Sequence, residues 1–447
     1  MSVVETEPLA AMETFDAGEG ATLAWLGQAG FLIRQAGLKI VIDAYLSDSL
    51  AEKYRGTRFP HQRMMPVPVK PGDLRDVDWL LCTHGHTDHM DPGTIPALLA
   101  ANPRARALVP RAEKARAIER GVPENRLTLI DAGESIDLGG VIVTATPAAH
   151  EDLRRTTEGY LFLGYVLSGG GVTLWHSGDT IPFPGLAEWL MPFRVDLALL
   201  PVNGRDATRA ANGVPGNLSL EEAVALADEI GARAMIGHHF GLFEFNTLNP
   251  EEGARKLGTL TPKVEVRLAT VSTTYRVQPL IRPPLSVLVV CRGNICRSPT
   301  ADGVLRAALP GHRIDSAAIM DWNVGKPPHA ETISVAAARG VALETLVARQ
   351  IRKTDFEEFD LILGMDDLNM EAIRALRPEG GHARIGRLGA YAIPGEETTI
   401  IDPWGQERGA FEAVFDQISV ACERLAHFAR AAQQNIGQGS EEHGFRA

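Results

Sequence analysis

Two short runs in this 447-residue chain dictate the backbone around them. Thr83-His84-Gly85-His86-Thr87-Asp88-His89 closes an apolar stretch, residues 78–83, that reads as a buried strand. Three imidazoles and a carboxylate within six positions meet at one centre only if a strand end and a tight loop aim them there. Cys291-Arg292-Gly293-Asn294-Ile295-Cys296-Arg297-Ser298 also follows an apolar strand, 287–290. Residues 299–309 then read as a helix with Pro near its first position. A strand–loop–helix unit turns successive backbone N–H groups inward, as an anion requires. Both runs demand α/β scaffolds.

The chain is too long for one ordinary core, so two or three domains are expected. Residues 22–26, 31–34 and 38–42 read as short strands after a polar leader, and 141–146, 160–167, 172–176 and 197–202 continue the pattern. Ser219 with Glu222 forms a capping box that opens a helix through residue 230. Many strands with few helices predict a sheet sandwich flanked by helices. Gln278-Pro279-Leu280-Ile281-Arg282-Pro283-Pro284 is a proline-marked linker. Beyond it a strand at 361–363 and an amphipathic helix at 410–429 point to a parallel sheet. The expected domains are 21–277 and 286–432, joined by a linker at 278–285 and followed by a polar tail at 433–447.

A net charge of -12 argues against a broad nucleic-acid surface, yet leaves room for a local cationic pocket. Four cysteines in so long a chain make no disulfide framework and fit a reducing, cytoplasmic compartment. Residues 1–20 are acidic and lack the basic and apolar regions of a signal peptide. No apolar run approaches the roughly 20 residues of a membrane span. Partners expected on this reading are a phosphorylated small molecule or a phosphotyrosine protein, not nucleic acid or membrane.

Histidines and aspartate on one loop suit zinc, manganese or iron. The run resembles the metallo-β-lactamase superfamily, whose HxHxDH motif it matches in full. The resemblance extends to His150, to Asp179 in Ser177-Gly178-Asp179-Thr180, and to a last histidine. His239 is preferred over His238 there because Phe240-Gly241-Leu242-Phe243 and Asn246-Thr247 follow it. The resemblance implies an αββα sandwich and two divalent ions: His84, His86 and His150 on one, Asp88, His89 and His239 on the other, Asp179 bridging. Trp25-Leu26-Gly27-Gln28-Ala29-Gly30, Leu200-Pro201-Val202-Asn203-Gly204-Arg205 and Gly216-Asn217-Leu218 are similar to the L-ascorbate-6-phosphate lactonase branch. Arg205 reads equally as an anion contact or a surface arginine. His176 and Cys82 read as packed residues.

In the second run Cys291 and Arg297 bracket five residues. The nest of amides and the helix N-terminus stabilise a thiolate and bind a phosphate dianion, and an arginine can clamp two phosphate oxygens. Cys-Arg-Gly-Asn-Ile-Cys-Arg-Ser-Pro after a strand resembles the low-molecular-weight protein tyrosine phosphatase family. Asp321-Trp322-Asn323-Val324-Gly325, Met365-Asp366 and Ile401-Asp402-Pro403-Trp404 support it. The resemblance implies that Cys291 attacks phosphorus, and that the loop from Arg292, Gly293, Asn294, Ile295 and Cys296 to Arg297 binds phosphate. It further implies that Ser298 and Asn294 support the thiolate and the loop, that Asp402 is the general acid, and that Trp322 and Trp404 wall the pocket. Cys296 resembles the second loop thiol. Asp302, where the family usually has Glu, and Ala318, where Gly is common, depart from the pattern.

The combined reading is a bifunctional hydrolase: a dinuclear-metal hydrolase of a lactone or phosphorylated small molecule, fused to a Cys-dependent phosphatase. Arsenate-reductase-like thiol chemistry, or one domain kept as a binding module, stand as alternatives.

Overall fold

The computed structural model describes residues 3–8, 20–396 and 398–433. The expected tail, 433–447, lies outside these residues apart from Gln433. The chain divides into two compact units. One gathers the chain up to Pro182 with Arg194–Ile281; the other joins Phe183–Phe193 to Arg282–Gln433.

The first unit holds two mixed sheets. One orders its strands Val4–Pro8, Thr273–Val277, Ala21–Gly27, Gly30–Gln35, Leu38–Ile42, Trp79–Leu81, Arg106–Pro110 and Leu127–Ile130. Pairs are antiparallel as far as Leu38–Ile42 and parallel from there on. The other runs Glu265–Leu268, Ala234–His238, Leu197–Pro201, Val172–His176, Leu163–Gly169, Ile142–Pro147 and Ser135–Asp137. Its first four strands are parallel. Ala21–Gly27 and Leu163–Gly169 are buried along their whole length. Strands covered on both faces read as continuous apolar runs, which is why these were legible.

Helix Ile95–Ala101 buries Ile95, Leu98 and Leu99 with Leu32, Val41 and Leu80 of the first sheet. Helix Leu220–Ile230 packs on Leu197–Pro201 and Ala234–His238 of the second, opened by the complete Ser219–Glu222 capping box. Part of the polar leader forms a strand: Val4–Pro8 pairs with Thr273–Val277. Its polar alternation, VETEP, gave no apolar signal for an edge strand.

Polar side chains tie the two sheets together. Tyr165 donates its hydroxyl to the Cys82 carbonyl at 2.8 Å. Gln35, fully buried, donates through Nε2 to the carbonyls of Leu167, Gly169 and Val172 at 3.3, 2.9 and 2.8 Å.

The second unit is a parallel four-stranded sheet, ordered Arg313–Ala318, Ser286–Cys291, Leu361–Gly364, Arg384–Arg387. The helix after the cysteine loop starts at Arg297, two residues earlier than the proline implied, because the loop's last residues already turn helically. The last helix, Arg408–Gln433, buries Phe411, Phe415, Ile418, Leu425 and Phe428 along one face. Phe428 packs on Trp189 and Phe193 at 5.1 and 5.0 Å between ring centroids, so Phe183–Phe193 belongs to this core.

Replacing Gln35 with Leu keeps the volume but removes its buried hydrogen bonds to the Leu167, Gly169 and Val172 carbonyls. The expected loss is about 1–3 kcal/mol of stability in the first unit, read as a lower denaturation midpoint of the full chain.

Candidate active sites

One rule places both sites. A parallel strand leaves its carboxyl end facing a crevice between its loops, and ligand-binding residues collect there. Asp43 follows Leu38–Ile42, His84 follows Trp79–Leu81, Asp179 follows Val172–His176 and His239 follows Ala234–His238. In the second unit Cys291 ends one of the two central strands and Asp366 follows the other.

In the first unit three sets of donor atoms each fall within 4.8 Å of one another. They are His84, His86 and His150; His84, His89 and Asp179; and Asp88, His89 and His239. All seven residues singled out in the sequence are therefore brought together. His89 Nε2 and His239 Nε2 lie 3.3 and 3.2 Å from Asp179 Oδ1. His84 Nε2, His89 Nε2 and Asp179 Oδ1 are nevertheless buried without a hydrogen bond. Donor atoms crowded at one place without hydrogen-bond partners are what a cation satisfies, and imidazole with carboxylate suits zinc, manganese or iron.

Burial pushes the His150 imidazole down to about 4 and holds His84 well below its usual range. Burial alone would raise the Asp179 carboxyl, but His239 and His89 override it and hold Asp179 well below the carboxylate range. Burial likewise disfavours charge on His89, yet Asp179, Asp43 and Asp88 push it well above the usual imidazole value.

Two supporting residues escaped the sequence reading. Asp43, buried and in the left-handed region at φ 47°, accepts from His89 Nδ1 at 2.8 Å and from Thr83 Oγ1 at 2.6 Å. With Nδ1 thus engaged, His89 Nε2 is left to face the cluster. Gln28 donates to Asp88 at 2.9 Å and approaches His239 Nε2 at 3.3 Å. His239 also takes the left-handed conformation, φ 63°, and its N–H donates to the Gln28 carbonyl at 2.9 Å. That kink separates it from His238, which stacks on His176 at 4.9 Å and is in none of the donor sets. His176 and Cys82 are packed within the sheets.

A cavity of about 430 Å³ opens onto His86, Asp88, His150, Asp179 and His239. Tyr54, Phe59, Phe243 and Phe245 line it, together with Lys53, Arg58, Arg116 and Arg120. Arg205 is not among its lining residues; its guanidinium binds both Glu222 oxygens, at 2.6 and 2.7 Å. The cations that line the cavity come from segments that carry no motif.

In the second unit Cys291 Sγ accepts from the Asn294 N–H at 3.3 Å and the Ser298 hydroxyl at 3.1 Å. Asn294, at φ 52°, donates its Nδ2 to Ser298 Oγ at 2.9 Å and accepts from the Arg349 N–H at 3.0 Å. The loop is thereby locked from both sides. A Cβ on Gly293 would press on Asn323 Nδ2, 2.8 Å away. The Arg292 guanidinium lies over the Trp322 ring at 5.1 Å.

Arg297 is buried and donates to Asp366 at 2.6 Å, to the Ile400 carbonyl at 2.9 Å and to Asp402 at 2.7 Å. Burial opposes its charge, but the Cys291 sulfur and the two carboxylates outweigh it and raise its affinity for the proton. Its Nε keeps no partner. Asp366, quoted in the sequence only as a supporting stretch, is thus a direct partner of the arginine. Trp322 and Trp404 are 55% and 67% exposed, free to meet a ligand. Burial pushes the Cys296 thiol up to about 12.

Each unit therefore presents hydrolase architecture, one built for a divalent cation and one for a phosphate ester. The family model "Low molecular weight phosphotyrosine protein phosphatase" matches residues 286–436, and "Beta-lactamase superfamily domain" matches 39–240. Low molecular weight phosphotyrosine protein phosphatase 1 of Drosophila melanogaster is 43% identical over 143 residues, 30% of this chain and 91% of the relative. The solved structure of Primo-1 is 39% identical, with TM-score 0.30, covering 31% of this chain and 94% of its own. N-acyl-phosphatidylethanolamine-hydrolyzing phospholipase D 1 of Caenorhabditis elegans is 27% identical over 263 residues, 55% of this chain and 72% of the relative. The chain belongs, through its C-terminal region, to the low-molecular-weight phosphotyrosine protein phosphatase family, and joins to it a β-lactamase-superfamily domain. Both are hydrolase families, and the second implies divalent metal binding. No helix among the described residues is long and apolar enough to cross a membrane.

Asp43→Asn is expected to weaken metal affinity by about 10–100-fold, measured by competition with a chromophoric chelator. A thiol held near 12 stays protonated and unreactive at neutral pH. Iodoacetamide at about pH 7 should therefore label Cys291 and spare Cys296, with inorganic phosphate protecting Cys291; peptide mass spectrometry reads both sites.

Proposed function

We propose that the chain is a bifunctional hydrolase whose first domain, 21–277, works with divalent metal and whose second, 286–432, is a Cys-dependent phosphatase. The observation that carries the second half is the arrangement at Cys291: two donors on its sulfur, and Arg297 held by two carboxylates beside it. Cys291 attacks phosphorus, and Arg297 steadies the transferring oxygens. Ser298 and Asn294 hold the sulfur and the loop. Asp402, once protonated, gives its proton to the leaving oxygen and then takes one from the water that hydrolyses the phosphocysteine. Trp322 and Trp404 favour a flat leaving group, such as an aryl phosphate or a phosphotyrosine side chain.

In the first domain His84, His86 and His150 would hold one ion and Asp88, His89 and His239 a second, with Asp179 as a further ligand. Such ions supply Lewis acidity and a water nucleophile ionised near neutral pH. The residues around them orient the substrate: four cations beside an aromatic wall suit a phosphorylated compound with an apolar part. The name of the C. elegans relative, a phospholipase D, supports a phosphodiester over an uncharged lactone. The product of such a cleavage is a phosphomonoester, the substrate class of the thiol site.

Arsenate reduction is disfavoured because Cys422, the remaining downstream thiol, is fully buried and pushed up by burial. Four free, buried cysteines fit a cytoplasmic setting.

Cys291→Ser is expected to lower aryl phosphate hydrolysis by about a thousand-fold or more while phosphodiester hydrolysis persists. Chelator should do the reverse. Aryl phosphatase activity retained in Cys291→Ser refutes the thiol assignment, and diesterase activity surviving complete metal removal refutes the metal one.

A further inference from the structure

The phosphatase unit contains a segment that its own family region does not supply. Phe183–Phe193 clusters with this unit, yet lies far before the matched residues 286–436. Trp189 from that segment is 1% exposed and donates its indole N–H to the Ala390 carbonyl at 3.0 Å. The Arg424 guanidinium lies 5.0 Å over its ring and donates to the next two carbonyls, Tyr391 and Ala392, at 3.0 and 2.9 Å. These three bonds fasten the near end of the chain stretch that leads to the active site. Gly389 abuts the Thr398 carbonyl so closely that any Cβ would collide with it. At the far end the Ile400 carbonyl accepts from Arg297, and Asp402 receives the second arm of the same guanidinium.

We propose that Trp189 is a positioning residue for phosphate transfer: by holding Ala390 it fixes the loop that presents Asp402 to the leaving group. The inference rests on the reading of Cys291 as nucleophile and Asp402 as general acid. Trp189 touches neither; it acts only through Ala390 and the loop. A loosely held acid costs most where the leaving oxygen needs its proton, and little where the leaving anion is stable by itself. A structural role alone would lower activity toward all substrates alike.

The test compares the full chain with Trp189→Phe, which keeps a buried ring but loses the N–H to Ala390, and with Arg424→Met, which keeps the stem but frees the neighbouring Tyr391 and Ala392 carbonyls. For both variants kcat/KM with phenyl phosphate is expected to fall about ten-fold, and with dinitrophenyl phosphate less than about two-fold. Equal losses on the two substrates, or no loss on either, would overturn the inference. If the unsubstituted chain shows no Cys291-dependent phosphate release, the underlying reading fails and the inference falls with it. Chelator-sensitive diester hydrolysis, measured in parallel, should be unchanged in Trp189→Phe and reports that the chain is folded.

Discussion

A strand that ends inside a parallel sheet must leave it by a loop, and the loops of neighbouring strands converge over the same edge. Everything chemical in this chain hangs on that geometry. Asp43, His84, Asp179 and His239 start from four different strands, yet arrive in one cluster of side chains. Cys291 and Asp366 do so in a smaller sheet, where Arg297 bridges the two loops. The strand ends give a rigid origin for each donor, so short loops suffice to bring them within hydrogen-bond or ligand distance.

What the two sites require electrostatically is opposite, and the sheets meet both demands. The metal site crowds imidazoles and carboxylates until several lone pairs have no partner, a state that costs stability unless a cation fills it. The thiol site buries a guanidinium and offsets its desolvation with Asp366 and Asp402. The Arg297 Nε keeps no partner, which on the proposed phosphatase reading leaves it for a phosphate oxygen. The shape of the loop is fixed by Asn294, which takes the left-handed conformation and donates to Ser298 Oγ.

Legibility followed locality. The histidine run, the cysteine loop, the capping box at Ser219 and the fully buried strands are all written in contiguous residues, and each could be read. His150, Asp179, His239 and Asp402 came only from resemblance, since nothing in their own surroundings marks them. Asp43 and Gln28 were missed because a carboxylate after a strand and an amide in a turn look ordinary until the fold sets them against His89 and Asp88. Arg205 reads from its motif equally as an anion contact or a surface arginine, and its pairing with Glu222, seventeen residues later in the first turn of Leu220–Ile230, is not visible locally. Lys53, Arg58, Arg116 and Arg120 reach the cavity from stretches with no pattern to announce them.

The excursion of residues 183–193 into the second core bears on how such a chain can be divided or inherited. The polypeptide leaves one unit after Pro182, spends eleven residues in the other, and returns at Arg194 before crossing again near Arg282. A single break at the proline linker therefore does not yield two self-sufficient pieces: the downstream fragment lacks Trp189 and Phe193, and Phe428 loses the rings it packs on. A gene coding for this protein is interleaved rather than concatenated.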